Sequence, residues 1–211
     1  MVKRHIIGIL SAFMMVFSAS AQANDRIVEA ETLVLSLVGH IQQTIGNDPS
    51  LEEIRAETNE IIDNYFDYNL VARFAAGQAW RTATPEEKKA YKSAFREVLL
   101  SLAETQFGYF KNLEYEAKES TSKGKKLVVA RGMIHDKTGK LPDTMVAWRI
   151  STKDGKPARI IDIEVENISM LITQQQENTA IIRQNGGKFS ALIEALESMA
   201  EDIKNGEVTT E

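Results

Sequence analysis

The fold is decided by residues 144–166, which read TMVAWRISTKDGKPARIIDIEVE. Apolar residues alternate with polar ones over about 144–152 and again over about 158–166, and a period of two indicates half-buried strands. Asp154-Gly155 between them is typical of a tight hairpin turn, because both residue types tolerate positive φ. The connection is too short for a parallel crossover, which needs a dozen or more residues. We therefore predict an antiparallel hairpin.

Two earlier segments show the same period. Leu113-Glu114-Tyr115-Glu116-Ala117 alternates strictly, and residues 127–134 form a second apolar run. Asp136-Lys137-Thr138-Gly139 then has the residue types of a turn. Together the four segments predict an antiparallel meander of four strands within about residues 111–167.

Helical periodicity flanks this sheet on both sides. Apolar residues recur every three or four positions in six segments, and we expect helices over about 25–45, 49–65, 69–76, 84–110, 169–184 and 188–204. Thr84-Pro85-Glu86-Glu87 is the clearest start signal, with a hydroxyl cap, proline at the first position and glutamate at the third. The predicted class is α+β: a four-stranded antiparallel sheet wrapped by about six helices, with helical parts at about 24–110 and 168–205.

The first 23 residues have the features of a secretory signal peptide. Lys3-Arg4 precedes an apolar run from Ile6 to Ser18, and Ala21-Gln22-Ala23 supplies a small-x-small cleavage pattern. The run is shorter than the roughly 20 residues that span a bilayer. We predict cleavage after Ala23, which leaves residues 24–211 as a single mature domain in the periplasm. A membrane anchor or a buried first helix is the alternative.

Charge and cysteine content exclude several kinds of binding partner and of covalent attachment. The net charge is −5, and loss of Lys3 and Arg4 with the leader lowers it to −7. A negative chain without a basic cluster is a poor ligand for nucleic acid or for anionic lipid surfaces. The chain has no cysteine, so neither a lipidated cysteine nor a disulfide is possible.

Catalytic residues are scarce. The mature chain contains only His40 and His135, and both are expected at the surface. No Gly-x-Ser-x-Gly, His-Glu-x-x-His or phosphate-binding glycine loop occurs. With no cysteine and two scattered histidines, we predict no metal site, no catalytic residue and no cofactor.

Asp162 is the one carboxylate within an apolar strand. In such a pocket it could serve as a general base with a raised pKa. Alternation, however, places it with Ile160 and Glu164, on the face opposite Ile161, Ile163 and Val165. We therefore expect a hydrogen-bonded structural aspartate, and a catalytic role is the alternative.

Apolar surface is abundant. The third predicted strand presents Val146, Trp148 and Ile150 on one face. The helix over residues 84–110 has an apolar face wide enough to cover a sheet. These patterns fit a filled core and a lined cavity equally well.

Two stretches carry a family resemblance. Residues 74–87, FAAGQAWRTATPEE, resemble the central helical motif of the MlaC (toluene-tolerance) proteins. Residues 162–170, DIEVENISM, resemble that family's Asp-Val-x-Val-Glu-Gly-Val-Ser segment, which joins the last strand to the next helix. Asn167 stands where the family usually has glycine, and asparagine tolerates the left-handed backbone expected there. Residues 69–73 match the family only loosely.

This resemblance implies a strongly twisted, cystatin-like sheet with a helical subdomain. It also implies a monomeric periplasmic carrier of the maintenance-of-lipid-asymmetry pathway, without a cofactor. Such carriers move phospholipid between an outer-membrane lipoprotein complex and an inner-membrane ABC transporter complex. Two alternatives are a small-ligand enzyme and a chaperone or adaptor with a solid core.

On this interpretation the acyl chains lie inside and the headgroup stays near the surface. The residues expected to line the lipid cavity are Phe95, Leu99, Leu102, Phe107, Val146, Trp148, Ile161, Ile163, Val165, Ile168, Met170 and Leu171. Among them, Ile168 is expected to contact acyl chain at the junction between the last strand and the next helix.

Overall fold

The structure is a computed structural model that describes residues 7–153 and 155–207, with side chains from residue 23 onward. Its helices are α1 (Ile7–Gly46), α2 (Leu51–Tyr65), α3 (Tyr68–Ala75), α4 (Pro85–Phe110), α5 (Met170–Gln184) and α6 (Phe189–Lys204), with a 3-10 turn at Gly77–Arg81. Its strands are β1 (Leu113–Ala117), β2 (Thr121–Lys123), β3 (Leu127–Asp136), β4 (Thr144–Ser151), β5 (Arg159–Val165) and β6 (Ile168–Ser169).

The predicted signal peptide falls mostly outside this description. Residues 1–6 are not described, and residues 7–22 are described only as the helical backbone of α1. Within the described part of the chain, none of the helices is both long and apolar enough to cross a bilayer. Cleavage after Ala23 therefore stays a prediction.

The α+β class and the antiparallel sheet are confirmed, but the prediction of four strands was wrong. The sheet has six strands in the order β1-β3-β4-β5-β6, and β2 pairs with β3 beside β1. Each neighbouring pair is antiparallel. Strands β2 and β6 have three and two residues, which is too short for alternation to show in the sequence.

The turn between β5 and β6 has two residues with positive φ. Val165 faces Ile168 across it, and Glu166 and Asn167 have φ values of 49° and 66°. Positive φ at both central positions is typical of the type I′ hairpin, whose twist matches that of the strands. The left-handed backbone expected at Asn167 is therefore present.

A first hydrophobic core, the sheet core, lies between α1 and one face of the sheet. Val146, Trp148 and Ile150 on β4 all point to this face, where α1 covers them. The buried members of the sheet core are Ala30, Val34, Leu37, Val128, Ala130, Val146, Trp148, Ile150, Ala158 and Ile160.

A second core, the helix core, is formed by α3, α4, α5 and α6. The Tyr91 ring lies at its centre, fully buried, stacked on Phe95 at 5.8 Å and tilted against Phe189 at 5.5 Å. Asn178 is also fully buried and donates from Nδ2 to the Ala75 carbonyl oxygen at 3.0 Å. This bond satisfies a polar group that would otherwise be costly to bury.

A β-bulge in β5 changes which residues share a face. Arg149 pairs with Asp162, and the next residue, Ile150, pairs with Ile160, so Ile161 is the extra residue. Ile160 therefore lies in the sheet core, on the face opposite Asp162. The prediction that these two residues share a face was wrong, because strict alternation does not hold across a bulge.

Asp162 joins β5 to the start of α5. Its buried carboxylate accepts from Ser169 Oγ at 2.6 Å and from the Leu171 backbone N–H at 3.0 Å. Ser169 Oγ in turn accepts from the Ile172 N–H at 3.0 Å and caps the helix. Both carboxylate oxygens are thus engaged, as expected of a hydrogen-bonded structural aspartate.

We predict that Asp162→Ala lowers the free energy of unfolding by about 1–3 kcal/mol, because two partly buried donors lose their acceptor. Asp162→Asn should cost less, since its amide oxygen can still accept from the Leu171 N–H. Urea unfolding of both variants measures the difference, with Glu197→Gln at an exposed position of α6 as control. Equal stability of the alanine variant and the wild type would contradict this role.

A second prediction concerns pH. Hydrogen bonds from the Thr138 hydroxyl and from the backbone N–H groups of Thr138, Leu141 and Lys140 lower the pKa of Asp136 from 3.8 to about 2. Because the folded pKa is depressed, the stabilisation is present above pH 3.8 and is lost as the pH falls towards 2. Carbon-detected NMR titration should give an Asp136 midpoint well below 3.8. In Asp136→Asn, the unfolding free energy should depend less on pH in this window.

Candidate functional site

An apolar groove lies at the boundary between the two cores. Its volume is about 330 Å³, and its walls come from α2, α3, α4, α5 and β5. The residues that line it are Thr58, Ile61, Ile62, Phe66, Tyr68, Val71, Phe95, Leu99, Ile161, Asp162, Ile163, Met170, Leu171 and Gln174. Apart from a few polar atoms, the lining is hydrocarbon.

Each wall belongs to one of the cores. Phe95 and Leu99 extend the helix core along α4, while Ile61, Phe66 and Ile163 pack against the sheet core. The groove is therefore the seam that remains where two separately packed cores meet. Such a seam is a common place for a ligand pocket.

Ion pairs hold α2 against α4 outside the groove. Arg55 on α2 donates to Glu97 at 2.5 Å and to Glu104 at 2.8 Å. Arg96 on α4 donates to Asp63 at 2.5 Å and to Asn59 Oδ1 at 2.9 Å. These groups are partly exposed, so each pair contributes at most about 1 kcal/mol. The polar contacts lie on the outer sides of the two helices, and their inner sides remain apolar.

The groove opens to the solvent at the start of α5. Met170 lines the groove and is 41% exposed, whereas its neighbour Leu171 is more deeply placed. Ile168 is 58% exposed and Ile172 is 43% exposed, and neither lines the groove. Three large apolar side chains thus reach the solvent within five residues of the chain.

The structure brings six of the predicted cavity residues together. The six that line the groove are Phe95, Leu99, Ile161, Ile163, Met170 and Leu171. They come from β5, α4 and α5, which are far apart in the sequence. The family-like segment 162–170 supplies one end of this wall.

The other six predicted residues lie elsewhere. Val146 and Trp148 belong to the sheet core, where α1 covers them. Leu102 packs on the helix core, Phe107 is half-buried further along α4, and Val165 and Ile168 lie at the β5–β6 turn. Alternation groups the β4 residues correctly on one face, but it does not indicate which face another element will cover.

Sequence reasoning missed the α2–α3 wall. Ile61 and Ile62 are recognisable in the sequence as the apolar stripe of a helix, and Phe66, Tyr68 and Val71 follow closely. Nothing local in that stripe shows that it faces a groove. Only the packing of α2 against both α4 and β5 puts it there.

Titratable groups in the groove have little capacity for catalysis. Asp162 already accepts two hydrogen bonds, and burial raises the pKa of Tyr68 to about 12. Tyr68 is therefore neutral at physiological pH and donates its hydroxyl proton to the Lys92 carbonyl oxygen. Neither group is poised to take a proton from a substrate.

The histidines lie outside the groove. His40 Nε2 is 2.6 Å from Glu57 Oε2, between α1 and α2. Of the described residues, one group could hold a metal ion, namely His40, Glu57 and Glu60, whose ligand atoms lie within 4.8 Å of one another. His135 contacts Asp143 and Glu116, whose hydrogen bonds raise its pKa. The absence of a metal site and of a cofactor stays a prediction.

Comparison with known proteins shows the family to which this chain belongs. The model of the family described as MlaC protein matches residues 33–198. The structure is also similar to that of a phospholipid-binding protein from Ralstonia solanacearum, solved in complex with a phospholipid. The TM-score is 0.70 at 17% sequence identity, over 84% of this chain and 97% of the other. At that identity the likeness concerns the fold. The family match spans more than half of the sequence, and the chain therefore belongs to the MlaC family.

Proposed function

We propose that this protein is a periplasmic phospholipid carrier that holds acyl chains in the apolar groove between its two cores. The observation that carries the proposal is the groove itself, which is lined almost entirely by hydrocarbon in a chain of the MlaC family. A similarly folded protein has been solved with a phospholipid bound. The predicted leader and the negative charge fit an exported protein that does not adhere to anionic membranes.

Hydrophobic energetics favour a carrier that transfers its lipid by direct docking. A two-chain phospholipid has roughly 30 methylenes, each worth about 0.8 kcal/mol against water, or about 24 kcal/mol in total. This figure reaches the practical limit of non-covalent affinity before ordering costs are subtracted. Release into water would be extremely slow, whereas transfer between hydrocarbon environments nearly cancels the cost. We propose the inner-membrane ABC transporter complex and the outer-membrane lipoprotein complex of the lipid-asymmetry pathway as the docking partners.

The size of the groove suggests how a lipid is accommodated. At about 30 Å³ for a group the size of a water molecule or a methylene, a volume of 330 Å³ holds about eleven methylenes. Two full chains therefore require the walls to move apart.

The alternatives have less support. An enzyme would need a free base or nucleophile in the groove, and Asp162 and Tyr68 both have hydrogen-bonding partners there. A chaperone or adaptor with a solid core would not need an apolar seam of this volume. The direct test is mass spectrometry of the protein purified from a periplasmic extract without detergent. Co-purification of about one phospholipid per chain is expected, and a lipid-free protein that also takes none from vesicles would contradict the proposal.

Filling the groove should displace the lipid. We predict that Leu99→Trp lowers phospholipid occupancy about fivefold or more, since overpacking a filled site costs about 1–3 kcal/mol. Leu102→Trp is the matched control, because Leu102 lies one turn further along α4 and packs on the same helix core but does not line the groove. Occupancy is measured by quantitative lipid extraction from variants whose melting temperatures match that of the wild type. Equal occupancy in the two variants would show that this groove is not the acyl-chain site.

The mouth can be tested with two neighbouring residues. We predict that Met170→Glu weakens phospholipid binding about threefold to tenfold, because a carboxylate replaces a side chain that lines the groove. Ile168→Glu should fold normally, since Ile168 is 58% exposed, and should bind nearly as well as the wild type. A larger loss for Ile168→Glu would mean that Ile168 contacts acyl chain, as the sequence alone led us to expect.

A further inference from the structure

A polar cleft adjoins the apolar groove. Its volume is about 430 Å³, and Phe66 and Tyr68 line both spaces. The residues around the cleft are Asp63, Phe66, Asp67, Tyr68, Asn69, Lys92, Ser93, Arg96 and Arg159. An apolar space and a cationic space therefore share two aromatic side chains as a common wall.

The positive charges of the cleft are not all engaged. Arg96 is held by Asp63 and Asn59, and its guanidinium lies 4.6 Å from the centre of the Tyr68 ring. Lys92 Nζ donates to the neutral Asn69 Oδ1 at 3.2 Å, and Arg159 Nη1 donates to the Ala158 carbonyl oxygen at 2.9 Å. Within the described residues neither Lys92 nor Arg159 contacts a carboxylate. Both are partly buried cations that still have donors to offer.

The charge of the cleft matches a phosphodiester. Three cations and the two carboxylates of Asp63 and Asp67 line it, which leaves one net positive charge. A phosphodiester carries a single negative charge and has oxygens that accept charge-assisted hydrogen bonds from arginine and lysine. A dense polyanion would meet repulsion from the two carboxylates.

We propose that this cleft binds the headgroup phosphate of the lipid whose acyl chains occupy the groove, with Arg159 and Lys92 as its donors. The proposal rests on the proposed carrier function. In a glycerophospholipid the phosphate is joined to the chains through a short glycerol unit, and the cleft adjoins the groove at Phe66 and Tyr68. Arg96 is a positioning residue, because its ion pair and its contact with Tyr68 shape the common wall.

The test compares two ligands with identical acyl chains, phosphatidylethanolamine and diacylglycerol, which lacks the phosphate. Each competes with a phospholipid that carries a fluorophore on one acyl chain and is already bound to the protein. The wild type is expected to prefer the phospholipid about tenfold or more, since two charge-assisted contacts are at stake. The double variant Lys92→Gln/Arg159→Gln should lose most of this preference while binding diacylglycerol as before. Arg159→Lys should retain most of it.

Lys89→Gln/Lys156→Gln is the matched control. It removes the same charge from the same helix and from the loop before β5, but both lysines are exposed and lie outside the cleft. This control should keep the wild-type preference. Inorganic phosphate in large excess should not displace the preloaded lipid, and displacement would show a free-anion site instead of a headgroup site, which would overturn the proposal.

The remaining outcomes separate the two proposals. If the wild type binds both lipids equally, or if its preference survives in the double variant, the headgroup site is wrong and the carrier function stands. If the wild type binds neither lipid, the carrier function itself is wrong.

Discussion

The carboxylate of Asp162 is buried, and both of its oxygens accept hydrogen bonds from the start of α5, one from Ser169 Oγ and one from the Leu171 N–H. A buried carboxylate without donors would be very costly, so this junction confines α5 to one place beside β5. Because α5 also packs on α3 and α6, the junction attaches the helix core to β5 of the sheet. The apolar groove opens directly beside it.

Two cores joined in this way leave the apolar groove between them. Ion pairs of Arg55 and Arg96 hold α2 to α4 on their outer sides, and α1 closes the far face of the sheet. The inner sides of α2, α4, α5 and β5 then face one another across a mainly apolar groove. Hydrocarbon walls favour apolar ligands without fixing their orientation, which suits the proposed lipid cargo.

In the proposed carrier, the polar cleft fixes the orientation of the bound lipid, which the apolar groove alone does not. Tyr68 takes part in both spaces, with its ring against the groove and its hydroxyl on the Lys92 carbonyl oxygen. On the proposed headgroup assignment, Lys92 and Arg159 orient a phosphate at one end while the chains stay in the groove. Affinity and orientation would then come from different residues of the same surface.

The sequence by itself determined the features that depend on neighbouring residues. The Thr84 capping box, the turn at Asp136 with Gly139 in the left-handed region, and the left-handed Asn167 all follow from local chemistry. Among the described residues, the helices and the four longer strands follow from periodicity, although α1 begins at Ile7 and not near residue 25. Strands β2 and β6 are too short to show a period.

Only the tertiary structure decided where the groove lies. Alternation predicts that Val146, Trp148 and Ile150 share one face of β4. Because α1 packs on that face, the three side chains lie in a filled core and do not line a cavity. The bulge at Ile161 moved Ile160 to the face opposite Asp162, and Ile61 reached the groove only because α2 contacts both α4 and β5. The period of apolar residues shows which residues share one face of a strand or helix. Which other element covers that face depends on packing between distant parts of the chain.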